Sequence, residues 1–383
     1  MGIVIIGTGL AGYTTARELR KQDKDAPLTL VSADSGRAYS KPLLSTGYRK
    51  EQQPSDLVQA GPEAMAEELN ATVITATAVA SLEREQRRVR LTDGNTLTYD
   101  RLVLALGADP MTPRLGGDAA DAVFQVNDLD QYERFRAAAD PAQRVLIMGG
   151  GLIGCEFAND LALAGYTVDL VFPEPWPLPR LLTETPGRAL HEALVEQGVR
   201  VHSGGTLAAV DYAGEGLVAT CDDGTRLQAD VVLAAIGLRP RTNLAAAAGL
   251  ECGAGIRTDR WLASSDPAIA ALGDCAEVGG YVLPYVAPIN QAARALGRTL
   301  AGEPTPVHYP VMPVSVKTSC CPVVAWPPEA DAAGTWSFDG DGRDLRGEFR
   351  DEQGALEGFV LTGKRIKERM SVTREMPPLL ASE

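Results

Sequence analysis

The chain has 383 residues and a formal net charge of −14, with 45% hydrophobic and 22% charged residues. Its length suits two or three domains with sizeable cores, and so acidic a chain is poorly matched to nucleic acid. No apolar run approaches the roughly 18 residues that cross a bilayer, and the first strand begins within three residues of Met1, so no signal peptide and a cytoplasmic location are expected.

The first element is the run Ile3-Val4-Ile5-Ile6, apolar without alternation, as in a parallel strand covered on both faces. It runs directly into Gly7-Thr8-Gly9-Leu10-Ala11-Gly12, and a helical pattern follows over 10–19. In a turn of this type the first glycine permits the bend and the second lets the backbone approach a pyrophosphate. The third lets helix and strand pack closely, and the helix start offers free N–H groups to the phosphates. A second strand, Leu28-Thr29-Leu30-Val31, ends at Ser32-Ala33-Asp34, the distance at which an acid normally holds a ribose hydroxyl. Tyr39-Ser40-Lys41-Pro42-Leu43-Leu44-Ser45 follows as a turn carrying a cation. Residues 73–82 and 88–99 read as a strand and a hairpin turning at Thr92-Asp93-Gly94-Asn95. The unit closes with an apolar strand from Leu102 to Leu106 and then Gly107-Ala108-Asp109-Pro110, where proline should stop the strand.

The same order then recurs. Val145-Leu146-Ile147-Met148 precedes Gly149-Gly150-Gly151-Leu152-Ile153-Gly154 and a helix over 152–163. A second strand, 167–172, runs into the stiff loop Pro173-Glu174-Pro175-Trp176-Pro177. A hairpin turns at Asp222-Asp223-Gly224-Thr225, and a strand over 231–236 ends in Gly237-Leu238-Arg239-Pro240. This is duplication at domain scale, and two such units hold two dinucleotides, the arrangement for moving hydride between a nicotinamide and a flavin. Beyond Leu238 the chain returns to the first unit through Ala271-Leu272-Gly273-Asp274-Cys275-Ala276 and a helix near 288–300. A linker over 304–313 opens a third region with antiparallel strands at 336–338, 346–349 and 358–361. The expected class is therefore α/β, with two doubly wound, Rossmann-like dinucleotide-binding domains plus a small α+β C-terminal domain. The expected extents are 1–110 with 237–303, 111–236, and 304–383. The six cysteines form no C-x-x-C and no metal-ligand spacing, and none of the three histidines has the context of a nucleophile's base.

Tyr39-Ser40-Lys41-Pro42, Gly151-Leu152-Ile153-Gly154-Cys155-Glu156, Ala271-Leu272-Gly273-Asp274-Cys275-Ala276 and Val314-Ser315-Val316-Lys317-Thr318 give the chain, over essentially its full length, a resemblance to the two-dinucleotide flavoprotein disulfide reductase superfamily. Within it the chain is most similar to rubredoxin reductases, with ferredoxin reductases as near neighbours. The resemblance implies FAD on the first unit and NADH on the second. It implies that Thr8, Gly9, Leu10, Ala11 and Gly12 cradle the FAD pyrophosphate, with Ala33 and Asp34 at the adenosine ribose and Val79 at the adenine through its backbone. Lys41 would lie near the flavin, Asp274 at the ribityl or phosphate region, and Val286 and Lys317 against the ring. Gly149, Gly151 and Gly154 would receive NADH, and Glu156 would point to the flavin–nicotinamide junction.

Two departures shape the functional expectation. The stretch 39–48 holds no cysteine and no histidine follows His308, so the thiol relay of the disulfide reductases is missing and electrons must leave from the flavin itself. At the end of the second unit's second strand stands Phe172 where an acid is expected, with Glu174 as the substitute. The expected activity is FAD-dependent NADH:rubredoxin reduction, with no side-chain nucleophile. The alternatives are transfer to a [2Fe-2S] ferredoxin, NADH oxidation by oxygen, or a redox-sensing interaction protein. An acidic acceptor needs a local basic patch on this acidic chain. Arg37, Lys41, Arg49 and Lys50 are the favoured group, ahead of Lys364, Arg365, Lys367 and Arg369.

Overall fold

Strands that are apolar on both faces need cover on both sides, and in the second unit helices cover one face while an antiparallel three-stranded appendage covers the other. In the computed structural model, which describes residues 2–381, the first parallel sheet has the order Ile269–Ala271, Arg101–Leu104, Ile3–Ile6, Leu28–Val31, Thr72–Ile74. The second has the order Phe124–Gln125, Val231–Ala234, Arg144–Met148, Thr167–Phe172, Arg200–Ser203. In both, the strand that feeds the glycine turn is central, with its unit's second strand on one side and the Gly-x-x-Pro strand on the other. Each sheet also carries an antiparallel three-stranded appendage, Val79–Glu83 with Arg88–Leu91 and Thr96–Thr98, and Leu207–Ala213 with Gly216–Cys221 and Arg226–Ala229.

The turn helices are Leu10–Gln22 and Leu152–Leu163. The first packs on Val286–Leu300, the helix contributed by the returning chain. Gly297 makes that approach possible, since a Cβ there would lie 2.8 Å from the Glu18 carbonyl carbon. No described helix is long and apolar enough to cross a membrane.

One local expectation needs correction. The Gly-x-x-Pro tails do not simply stop their strands. Gly107 (φ +72°) and Gly237 (φ +117°) swing the chain out of the parent sheets. The tails Ala108–Pro110 and Leu238–Pro240 then pair with each other as an antiparallel ribbon, Ala108 opposite Pro240. A two-stranded edge tolerates the prolines because their missing N–H groups can face outward.

The C-terminal sheet is antiparallel, in the order Val314–Val316, Val323–Trp326, Leu356–Thr362, Asp344–Asp351, Gly334–Asp341. Its period-two alternation divides its faces. Val316, Val323, Ala325 and Val360 join the core around Tyr132, Phe135 and Phe157 of the second unit. Val324, Phe359 and Leu361 form a separate cluster with Val372 on the other face.

Candidate active site

The two glycine turns have the same geometry to a close approximation. A Cβ on Gly12 would stand 1.9 Å from the Gly7 carbonyl oxygen, and one on Gly154 the same distance from that of Gly149. These glycines are therefore fixed by helix–strand packing. Gly7 (φ +118°) and Gly149 (φ +117°) occupy a backbone region that only glycine enters freely. The middle glycines are different. Gly9 and Gly151 have ordinary extended backbones (φ −75° and −76°), and a Cβ on either would meet no atom within 4 Å. Packing therefore does not require glycine there, and the open space in front of each helix start suits the close approach of a phosphate group.

Around the first cradle, one oxygen of Asp34 is fully occupied. Thr8 Oγ1 donates to it at 2.9 Å, Ser32 Oγ at 2.8 Å and the Gly36 N–H at 2.9 Å. The other oxygen of Asp34 accepts no hydrogen bond among the described residues, and Thr8 turns its hydroxyl to the acid while its backbone stays in the turn. Leu10 and Ala11 open the helix, Ala33 stands exposed beside Asp34, and Val79 begins the appendage opposite Leu91. Around the second cradle, Phe172 is buried at the end of its strand. A Cβ on Gly150 would lie 2.5 Å from that ring, so the aromatic fixes the turn where an acid would have faced the ligand. Glu174 stands half-buried two residues on, in a loop that the Leu178 N–H ties to the Gly150 carbonyl at 2.9 Å.

The junction between the units is polar. Glu156, the fifth residue of its helix, is fully buried and accepts from the Ser45 hydroxyl at 2.5 Å. It also accepts from the Lys317 N–H at 2.9 Å and pairs with Lys317 Nζ at 2.9 Å. Lys317 Nζ donates as well to the Pro42 carbonyl and to Ser45 Oγ. A cation from the C-terminal sheet thus reaches across to a carboxylate of the second unit over the 3-10 turn Lys41–Thr46 of the first. Sequence reasoning placed Lys317 and Glu156 in this region but did not pair them, and it named Ser45 only as the end of the turn 39–45, with no role. Lys41 faces Asp274 at 3.7 Å; burial holds its ammonium below the usual lysine range, and Asp274 opposes that shift. Val286 is the first residue of its helix and is 39% exposed.

One turn beyond Glu156 lie two more residues that sequence reasoning missed, Asn159 and Asp160, both buried. Asn159 Oδ1 accepts from the Cys320 N–H at 3.2 Å, and Asp160 accepts from the Tyr48 N–H at 2.8 Å. Burial pushes the Asp160 carboxyl above its ordinary range, with the Tyr48 and Arg49 backbone groups acting against it. Their spacing on one helix face, positions 156, 159 and 160, was the available signal.

The favoured basic group is corrected by these contacts. Arg37 is taken up by Asp130 and Glu133, Lys41 by Asp274 and Arg49 by Asp160. Of the four, Lys50 alone forms no ion pair among the described residues. Arg37 and Arg49 tie their segment to carboxylates of the second unit, Lys41 is paired within the first, and Arg49 and Lys50 remain exposed.

Residues 1–297 match the family described as pyridine nucleotide-disulphide oxidoreductase, and residues 306–376 match a rubredoxin binding C-terminal domain. The chain is 50% identical over 379 residues to the rubredoxin-NAD(+) reductase of Alcanivorax borkumensis, covering 99% of both chains. It is 39% identical to the enzyme of the same name from Acinetobacter baylyi, over 100% of this chain and 99% of that one. Among solved structures, a ferredoxin reductase from Rhodopseudomonas palustris superposes with a TM-score of 0.88 at 26% identity, covering 100% of this chain and 97% of that one.

Proposed function

The chain belongs to the pyridine nucleotide-disulphide oxidoreductase family, and from that premise we propose that it is an FAD-dependent NADH:rubredoxin reductase. The carrying observation is the C-terminal domain that matches rubredoxin binding, whose Lys317 reaches the junction between two dinucleotide cradles. Bound FAD would supply the redox chemistry, two-electron acceptance from NADH coupled to one-electron delivery to rubredoxin.

The residues present fit both dinucleotides, because each cradle has a middle glycine that faces open space. In this reading Gly9, Leu10, Ala11 and Gly12 offer backbone N–H groups to the FAD pyrophosphate, and Thr8 orients Asp34 toward the ribose. Ala33 and Val79 border the adenosine, and Lys41 with Asp274 lies along the phosphate and ribityl chain. Gly149, Gly151 and Gly154 hold NADH, and Glu174 takes the place of the missing acid at the ribose. Val286 and the Glu156–Lys317 pair face the ring. Lys317 gives positive potential near the flavin, Glu156 keeps that cation neutralised when no charge develops, and neither transfers a proton in our scheme.

Free thiols at all six cysteines and a dependence on NADH favour a cytoplasmic location. The test is rapid mixing of the NADH-reduced holoprotein with rubredoxin and, separately, with a [2Fe-2S] ferredoxin. Faster reduction of rubredoxin is expected. A flavin that NADH fails to bleach, or that passes electrons faster to ferredoxin, contradicts the assignment.

A further inference from the structure

We propose that the exposed basic segment over 364–374, a 3-10 turn running into the short helix Arg369–Arg374, is the surface on which the acidic acceptor docks; this rests on the rubredoxin reading above. Across 364–376 five cations stand against two carboxylates, Glu368 and Glu375, in a chain whose overall charge is −14. Both carboxylates are engaged: Glu368 by Arg365 and Arg346, Glu375 by Arg350. Arg365 is neutralised in turn by Asp339. What is left over is positive. Lys367, Arg369 and Arg374 are exposed and form no ion pair among the described residues, and Lys364 is 86% exposed with one 3.4 Å contact to Asp344. Met370 sits among them with 58% of its surface in solvent, a flexible apolar contact inside a charged rim.

The position of the segment is as informative as its charge. Val316 pairs with Val323 and Val323 with Thr362, and the Gly363 N–H donates to the Pro322 carbonyl at 2.9 Å. Lys317 and Gly363 therefore lie at the same end of the sheet, two strands apart, a separation of about 10 Å. The basic segment starts beside the loop that carries Lys317 to the inter-unit junction. It then crosses the sheet face turned away from the second unit, anchored by Val372. A partner seated there meets positive charge on a molecule that otherwise repels it. Of the cations nearer the junction, Arg37, Lys41 and Arg49 are already ion-paired.

Rim charges act mainly on association rate and its salt dependence. The experiment compares holoenzyme with the triple variant Lys367→Glu, Arg369→Glu, Arg374→Glu, using NADH and either rubredoxin or ferricyanide. KM for rubredoxin should rise about tenfold at low ionic strength and lose most of its salt dependence, with ferricyanide turnover unchanged. The single variant Lys367→Glu, at an exposed site, should raise KM about threefold and carries the test if the triple variant fails to accumulate. Unchanged KM and salt dependence in a variant that keeps its ferricyanide activity, beside a wild type that reduces rubredoxin, overturns the surface alone. A wild type that leaves rubredoxin oxidised while reducing ferricyanide overturns the functional reading, and the surface with it.

Discussion

Replacing Gly9 and Gly12 separately by alanine distinguishes a ligand cradle from a packing motif. A methyl on Gly12 would lie 1.9 Å from the Gly7 carbonyl oxygen, so helix and strand must separate. Overpacking of this kind costs about 1–3 kcal/mol or more. The protein without cofactor should therefore melt several degrees lower. A methyl on Gly9 meets nothing within 4 Å, and its φ of −75° and ψ of −171° suit alanine. The cofactor-free Gly9→Ala protein should therefore melt with the wild type or slightly above it, because alanine restricts the unfolded chain. Its loss appears on binding: a phosphate held off by one methyl forfeits at least one charge-assisted hydrogen bond, about 1.5–3 kcal/mol. The dissociation constant for FAD should rise about 10- to 100-fold. Calorimetric titration of cofactor-free protein with FAD, alongside thermal melts of the same samples, reads both effects. Undiminished FAD affinity in Gly9→Ala, or a melting loss equal to that of Gly12→Ala, would refute the distinction.

The duplicated cradle predicts the parallel result on the other side: Gly151→Ala should retain full flavin content and raise KM for NADH about tenfold or more, read from steady-state kinetics with ferricyanide. Lys317→Met strands the fully buried Glu156 and should destabilise the holoprotein by about 3 kcal/mol. Adding Glu156→Gln should recover much of that loss, and additive urea midpoints would show that the pair is not coupled. Asp230, which accepts from Arg144 and from the Gln143 and Arg144 N–H groups, has a carboxyl held below its ordinary range chiefly by the Arg144 guanidinium. A depressed carboxylate stabilises above its unfolded pKa, near 4, and loses that contribution as pH falls through the folded value. Wild type should thus exceed Asp230→Asn by about 1 kcal/mol at pH 7, and the gap should narrow below pH 4 in urea titrations. A gap independent of pH would contradict the assignment.

What the sequence made legible was local. A strand–turn–helix with three glycines is specified within about a dozen residues, so both cradles and the order of elements around them could be read directly. The Gly-x-x-Pro tails were legible as exits from their strands, but their pairing joins positions 108 and 240, and no local rule carries that information. Glu156, Ser45 and Lys317 come from three distant stretches, and only the folded chain shows that a carboxylate, a hydroxyl and an ammonium converge. Charge runs misled for the same reason. Arg37 and Arg49 look available in the sequence, and each has its partner about 100 residues away.

The first parallel sheet takes its edge strand, Ile269–Ala271, from beyond the whole of the second, whose strands all lie between Phe124 and Ser203 or at Val231–Ala234. During synthesis the later-encoded unit has every strand it needs before the earlier one does. The N-terminal half must wait on the ribosome with one flank of its sheet uncovered, which reverses the usual vectorial order of domain maturation.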